Sequence, residues 1–126
     1  QYEGFWEHDL RDGKGFERYP NGNTYFGQFK YGKAHGKGVY TWKDGRMYEG
    51  DYENDRKHGY GVYTWNDGKQ YEGWWQNGKQ HGEGIFITPS GEQRKGIWNE
   101  GKRVRWVEED DFGGQNQQQE QMQLGM

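Results

Sequence analysis

Apolar and polar residues alternate along most of this chain in short runs. Tyr25, Gly27 and Phe29 take every second position, with Phe26, Gln28 and Lys30 between them. Alternation at a period of two places one set on each face of a pleated strand. The run recurs as Tyr2-Gly4-Trp6, Tyr48-Gly50-Tyr52 and Tyr71-Gly73-Trp75. A second run, Gly36-Lys37-Gly38-Val39-Tyr40-Thr41-Trp42, is rich in residues that suit a pleated surface. Its copies are Gly13 to Tyr19, Gly59 to Trp65 and Gly82 to Thr88. Gly36, Gly38, Tyr40 and Trp42 share one face provided no bulge intervenes. Tyr31-Gly32-Lys33-Ala34 and Asn77-Gly78-Lys79-Gln80 read as hairpin loops, because Asn-Gly tolerates positive φ at both residues. Asn21-Gly22, Asp44-Gly45, Asp67-Gly68 and Ser90-Gly91 turn each unit into the next, with Pro20 and Pro89 just ahead of two of them.

The runs form a repeat. Gly4, Gly27, Gly50, Gly73 and Gly96 follow one another every 23 residues, as do Gly13, Gly36, Gly59 and Gly82. A fixed period of this length marks a repeat array. The reading is all-β: a single-layer meander of nine or ten short antiparallel strands, with no helix before residue 107. Two strands per repeat give a rise of about 10 Å. Residues 1–106 hold four full repeats and a degenerate fifth, in which Arg94 stands where tyrosine belongs and Val104-Arg105 replaces His-Gly. Arg103 to Val107 alternates basic and apolar, as a charge-protected edge strand would. Residues 107–126 form an acidic, then Gln-rich tail, with Phe112-Gly113-Gly114 as a hinge. That tail is expected to be disordered or partner-bound. The chain opens at Gln1, just ahead of a repeat signature, which fits a fragment of a longer protein.

Composition changes the picture in one respect. Only 29% of the chain is hydrophobic, against roughly 45–50% for a globular domain. Aromatics make up 18%, and each can bury about 150–250 Å². The chain is therefore read as an ordered aromatic-glycine solenoid without a thick core. It has no Cys, so disulfides and thiolate metal sites drop out. No apolar run approaches the roughly 18 residues of a membrane span, and no signal peptide is visible. All 17 Lys and Arg lie in residues 1–106 beside 15 of the 20 acids, a net charge of +2 there. That balance lacks the basic face of a nucleic-acid binder.

Tyr71-Glu72-Gly73-x-Trp75-x-x-Gly78-x-x-His81-Gly82-x-Gly84 resembles the MORN repeat (membrane occupation and recognition nexus) almost fully, and Tyr48 to Gly61 nearly so. Tyr25 to Gly38 departs at Phe26, and Tyr2 to Gly15 at Asp12. The resemblance covers residues 1 to about 106. It implies an elongated single-layer antiparallel β-hairpin array, trough-shaped, with an aromatic groove on its concave side. It also implies scaffold or targeting modules near membranes, in ciliary and cytoskeletal assemblies, or attached to larger enzymes such as lipid kinases and methyltransferases.

Candidate chemistry is sparse. His35, His58 and His81 would stack about 10 Å apart, too far to share one ion with bonds of about 2.1 Å, so they are read as hydrogen-bonding residues near the turns. Gly36-Lys37-Gly38 lacks the spacing and the following helix of a phosphate loop. Glu49 and Glu72 recur on the face opposite the tyrosines and have no pocket in which to act as acid or base. No catalytic, metal or cofactor residue is assigned, and the chain is read as no enzyme. Protein binding leads: Tyr25, Phe29, Trp42, Tyr48, Tyr52, Trp65, Tyr71 and Trp75 would line the groove and hold a helix or extended segment of a partner. For Trp6, Phe29, Tyr52, Trp75 and Trp98, packing between repeats is an equal alternative. Binding of anionic phospholipid through Arg56-Lys57, Arg94-Lys95 and Lys102-Arg103 is the second reading. Lys57 is expected in solvent. The expected setting is cytoplasmic, within a ciliary or cytoskeletal assembly, with the membrane periphery as alternative. A homodimer or a place in a large complex stays open.

Overall fold

A computed structural model describes residues 1–107. Ten strands form one open antiparallel sheet in strict chain order. They are β1 (Tyr2–Glu7), β2 (Leu10–Arg18), β3 (Thr24–Lys30), β4 (Lys33–Thr41), β5 (Met47–Glu53), β6 (Arg56–Thr64), β7 (Gln70–Gln76), β8 (Lys79–Ile87), β9 (Gln93–Asn99) and β10 (Lys102–Trp106). No helix occurs among the described residues. The expectations for the tail beyond Val107 fall outside them.

Each hairpin closes on only two residues: His8-Asp9, Tyr31-Gly32, Asn54-Asp55, Asn77-Gly78 and Glu100-Gly101. All ten have positive φ, for example 52° and 84° at Asn77-Gly78. That is the turn whose twist matches a right-handed sheet. The short turn corrects the expected strand limits. Lys33 already pairs with Lys30, so Lys33-Ala34 belongs to β4 and the strand starts ahead of Gly36.

A bulge also intervenes where none was assumed. Gly27 pairs with Gly38, but Phe29 pairs with Ala34, so three residues of β4 face Gln28 alone. Gly36 takes φ +90° there, a conformation that favours glycine. The same offset recurs in β2, β6 and β8. Two extra residues preserve parity, so Ala34, Gly38 and Tyr40 still share a face. The side chain opposite the bulge closes it in two repeats. The Gln28 Oε1 accepts the Lys37 N–H at 3.2 Å, and the Asp51 Oδ2 accepts the Tyr60 N–H at 3.0 Å.

The core is one face of the sheet. Gly27 and Gly38 sit side by side across β3 and β4, and the Tyr25 ring lies over both. A Cβ on Gly38 would meet the Tyr25 Oη at 2.3 Å. The phenol finishes the motif by donating to the Gln28 carbonyl at 2.9 Å. Tyr2, Tyr48 and Tyr71 do the same to Phe5, Asp51 and Trp74. In the fifth repeat, Trp98 and Trp106 occupy the space over Gly96 that a tyrosine would take.

Candidate functional site

The repeat stacks its aromatic rings into a continuous herringbone. Tyr25 meets Phe29 of its own repeat edge-on at 5.0 Å and Tyr52 of the next at 5.3 Å. Tyr48 meets Tyr52 at 5.2 Å and Trp75 at 5.4 Å. Tyr71 meets Trp75 at 5.3 Å and Trp98 at 4.8 Å. Edge-to-face pairs of this kind contribute about 0.5–1.5 kcal/mol each beyond burial. They join neighbouring repeats, which is where a solenoid needs its cohesion.

This packing decides which expected groove residues a partner could reach. Tyr48 and Tyr71 are 0% exposed and Tyr25 is 1% exposed. Phe29, Tyr52 and Trp75 are also buried, at 5–8%. These six form the core of the array together with Ala34, Tyr63 and Trp98. Trp42 and Trp65 are partly buried and keep an accessible edge. They run beside Tyr40 and Tyr63 in a second row, with Tyr40 to Trp42 at 4.6 Å, Trp42 to Tyr63 at 5.4 Å and Tyr63 to Trp65 at 4.8 Å. The rim of this row is polar. The Asn23 amide donates to the Tyr40 hydroxyl at 3.0 Å, and the Arg46 guanidinium donates to the Tyr63 hydroxyl at 3.1 Å.

Two cavities open on this face between the rows. One, of about 300 Å³, is lined by Tyr40, Trp42, Tyr52, Asp55 and Lys57. The other, of about 290 Å³, is lined by Tyr63, Trp65, Trp75, Lys79 and Gln80, with Lys57 at its inner wall. Each residue of the first has its repeat counterpart in the second: Tyr40 and Tyr63, Trp42 and Trp65, Tyr52 and Trp75, Lys57 and Gln80. The array thus offers one pocket twice, with different charges. Asp55 in the first is replaced by Gly78 in the second.

Lys57 is the residue that sequence reasoning misplaced. It points inward opposite Tyr52, and its ammonium lies 5.4–5.9 Å from the ring centroids of Trp42, Tyr48, Tyr63 and Trp75. Burial, with the Arg46 guanidinium nearby, pushes it below the usual lysine value. The signal lay in parity. Its repeat counterpart is buried Ala34, while exposed Arg56 pairs with Glu53 at the strand end.

The opposite face is mixed. Phe26, Tyr60 and Trp74 are well exposed there, and Tyr60 packs edge-on against Trp74 at 5.3 Å. Glu72 accepts the Tyr60 hydroxyl at 2.7 Å, and this partner together with burial raises that phenol to about 12. A hollow of about 620 Å³ lies between Phe26 and Tyr60 over Val39 and Val62. The histidines serve turns: the His81 Nδ1 accepts the Glu100 N–H at 3.2 Å, and the His58 Nε2 lies 3.5 Å from Glu53. No group of three or more His, Asp and Glu among the described residues is placed to hold a metal ion.

The MORN repeat family model matches residues 2–24, 25–45, 48–70 and 71–93. The chain belongs to the MORN repeat family. Comparison with curated protein sequences gives no match. MORN repeats in general are protein- or lipid-interaction modules and typically non-catalytic.

Proposed function

We propose that this array is a non-catalytic scaffold that holds a helical or extended segment of a partner protein along its aromatic face. The observation that carries this reading is the pocket that recurs from one repeat to the next, with tyrosine and indole walls and volumes of about 300 and 290 Å³. A long, narrow ligand can place one side chain in each, and rigid aromatics lose little entropy as anchors. The contact surface is the partly accessible row of Tyr40, Trp42 and Trp65, with buried Tyr63 between them. The buried Tyr25, Phe29, Tyr48, Tyr52, Tyr71 and Trp75 shape it from below.

The setting proposed for it is a ciliary or cytoskeletal assembly, and this rests on the family alone. A benzoylphenylalanine photocrosslinker at Lys79, on the pocket rim, is expected to capture the partner in cells that make the protein. The same probe at Tyr60, on the opposite face, is expected to leave that partner uncaptured. Capture from Tyr60 alone would move the binding site to the hollow between Phe26 and Tyr60 and overturn the reading. Co-sedimentation with vesicles rich in phosphatidylserine tests the lipid alternative, and a scaffold that binds protein alone stays in the supernatant.

A further inference from the structure

Lys57 carries its ammonium into a wall of aromatic rings. Every interaction of its ammonium among the described residues is with a ring face. No described carboxylate lies within ion-pair distance of it. A cation over a ring recovers only about 0.5–2 kcal/mol, and taking an ammonium out of water costs more than that unless an anion meets it. Asp55 lines one cavity with Lys57 but lies beyond ion-pair distance, and cations stand nearby. Arg46 lies on one side and Lys79 lines the same cavity.

The equivalent positions one repeat earlier show the difference. There Ala34 holds the strand position that Lys57 holds one repeat later, and the turn residue Asp55 accepts the Ala34 backbone N–H through its Oδ1 at 2.7 Å. One repeat later the turn residue is Gly78, with no atom within 4 Å of where its Cβ would be. Asp55 is thus engaged with backbone and makes no ion pair with Lys57, the turn beside Lys57 supplies no carboxylate, and the space beyond Gly78 is open.

We propose that the pocket of Lys57, Tyr63, Trp65, Trp75 and Lys79 receives the carboxylate of a glutamate or aspartate from the partner segment. The carboxylate pairs with the Lys57 ammonium while the methylenes of the stem lie against Trp65 and Trp75. A volume of about 290 Å³ admits one side chain. A peptide side chain fits better than a phospholipid headgroup, because the walls beside Lys57 are the rings of Tyr63, Trp65 and Trp75, which suit the methylenes of a stem. The proposal rests on the aromatic face being the docking surface, and it names the chemistry of one contact there.

A phage-displayed library of random 16-residue peptides, selected on the full chain, tests it. The expected outcome is enrichment of peptides with an acidic residue at a fixed place relative to an apolar anchor. A selected peptide should bind at least 10-fold more weakly after its own Glu→Gln change, and equally more weakly to Lys57→Met. The two losses should not add in a double-mutant cycle. Should Lys57→Met fold poorly, Gly78→Asp gives the same information. It places a carboxylate where Asp55 stands one repeat earlier, and it should raise the melting temperature and abolish acidic-peptide binding. Enriched peptides without acids, no enrichment at all, or undiminished affinity in either variant overturns the proposal. Lys57-dependent binding to phosphatidylserine vesicles in the absence of acidic-peptide binding would transfer the site to lipid and also overturn it. Benzoylphenylalanine capture at Lys79 that survives Lys57→Met would leave the scaffold reading standing while this contact falls.

Discussion

Gly61→Ala asks whether the glycine pairs exist to seat the tyrosines. Gly61 lies outside the left-handed region, so alanine strains nothing in the backbone and its cost is steric. Its Cβ would lie 2.3 Å from the Tyr48 Oη and 2.5 Å from the Cζ, about 1 Å inside ordinary contact. The ring has nowhere to retreat. Tyr52 and Trp75 press edge-on against it at 5.2 and 5.4 Å, and its hydroxyl is tied to the Asp51 carbonyl at 2.8 Å. Expelling the ring would forfeit about 4–6 kcal/mol of burial, from roughly 150–250 Å² at about 25 cal/mol/Å². It would also lose two ring contacts and a hydrogen bond worth about 1 kcal/mol. Shifting the strands instead costs about 1–3 kcal/mol. The chain takes the cheaper route, and the tight geometry puts the loss near the top of that range, about 3 kcal/mol. Urea unfolding followed by circular dichroism measures it, with equal slopes required for comparison. Gly78→Ala is the control. It has φ +84° but no steric contact, so only the backbone cost of about 1 kcal/mol applies. In a Tyr48→Leu background the Gly61→Ala penalty should shrink by more than half. A Gly61→Ala penalty no larger than that of Gly78→Ala, or one unchanged by Tyr48→Leu, refutes the seating argument.

Three further outcomes follow from the same packing. Gly59→Val should destabilise more than Lys57→Ala, because it combines φ +69° with a Cβ 2.7 Å from the Asp51 carboxylate; equal melting temperatures would reject this. Lys57→Met should leave the melting temperature unchanged or raised, because it keeps an apolar stem and removes an ammonium held among rings without a carboxylate; a clear fall would contradict that cost. The array should lose stability between pH 10 and 12. Burial, then the Glu17 and Tyr40 neighbours, lifts Tyr19 to about 12, and burial raises Tyr25, Tyr48, Tyr52 and Tyr71 further. A phenol raised in the folded state holds its proton after the unfolded chain has released it, so its contribution is complete below pH 10 and fades above. The depressed Lys57 works in the opposite sense, adding stability as pH rises towards the ordinary lysine value, but it is one group against several. Tyrosinate absorbance should rise together with the loss of circular dichroism; titration near pH 10 in a chain that stays folded would contradict the burial argument.

The repeat, its antiparallel meander, the Asn-Gly hairpin and the parity that sets Tyr25, Gly27 and Phe29 on one face were legible without coordinates. Each is a local property, fixed by pleat, turn chemistry or spacing, and each is written once per repeat. Glu49 and Glu72 fell on the opposite face for the same reason. Which rings remain accessible is not local. Tyr48 packs edge-on against Trp75 of the next repeat and is 0% exposed, while Trp42, in the second row, stays partly accessible. The bulge at His35-Gly36-Lys37 depends on pairing with two strands at once, Gly36 with Tyr52 on one side and Gln28 reaching across on the other. Lys57 was out of reach for a related reason. Its charge and its neighbour Arg56 suggest solvent, and although parity alone points it inward, what it meets there comes from three strands and from Trp42 just beyond β4. Only the assembled sheet brings Trp42, Tyr48, Tyr63 and Trp75 around one ammonium, and only there does the absent carboxylate at Gly78 acquire meaning.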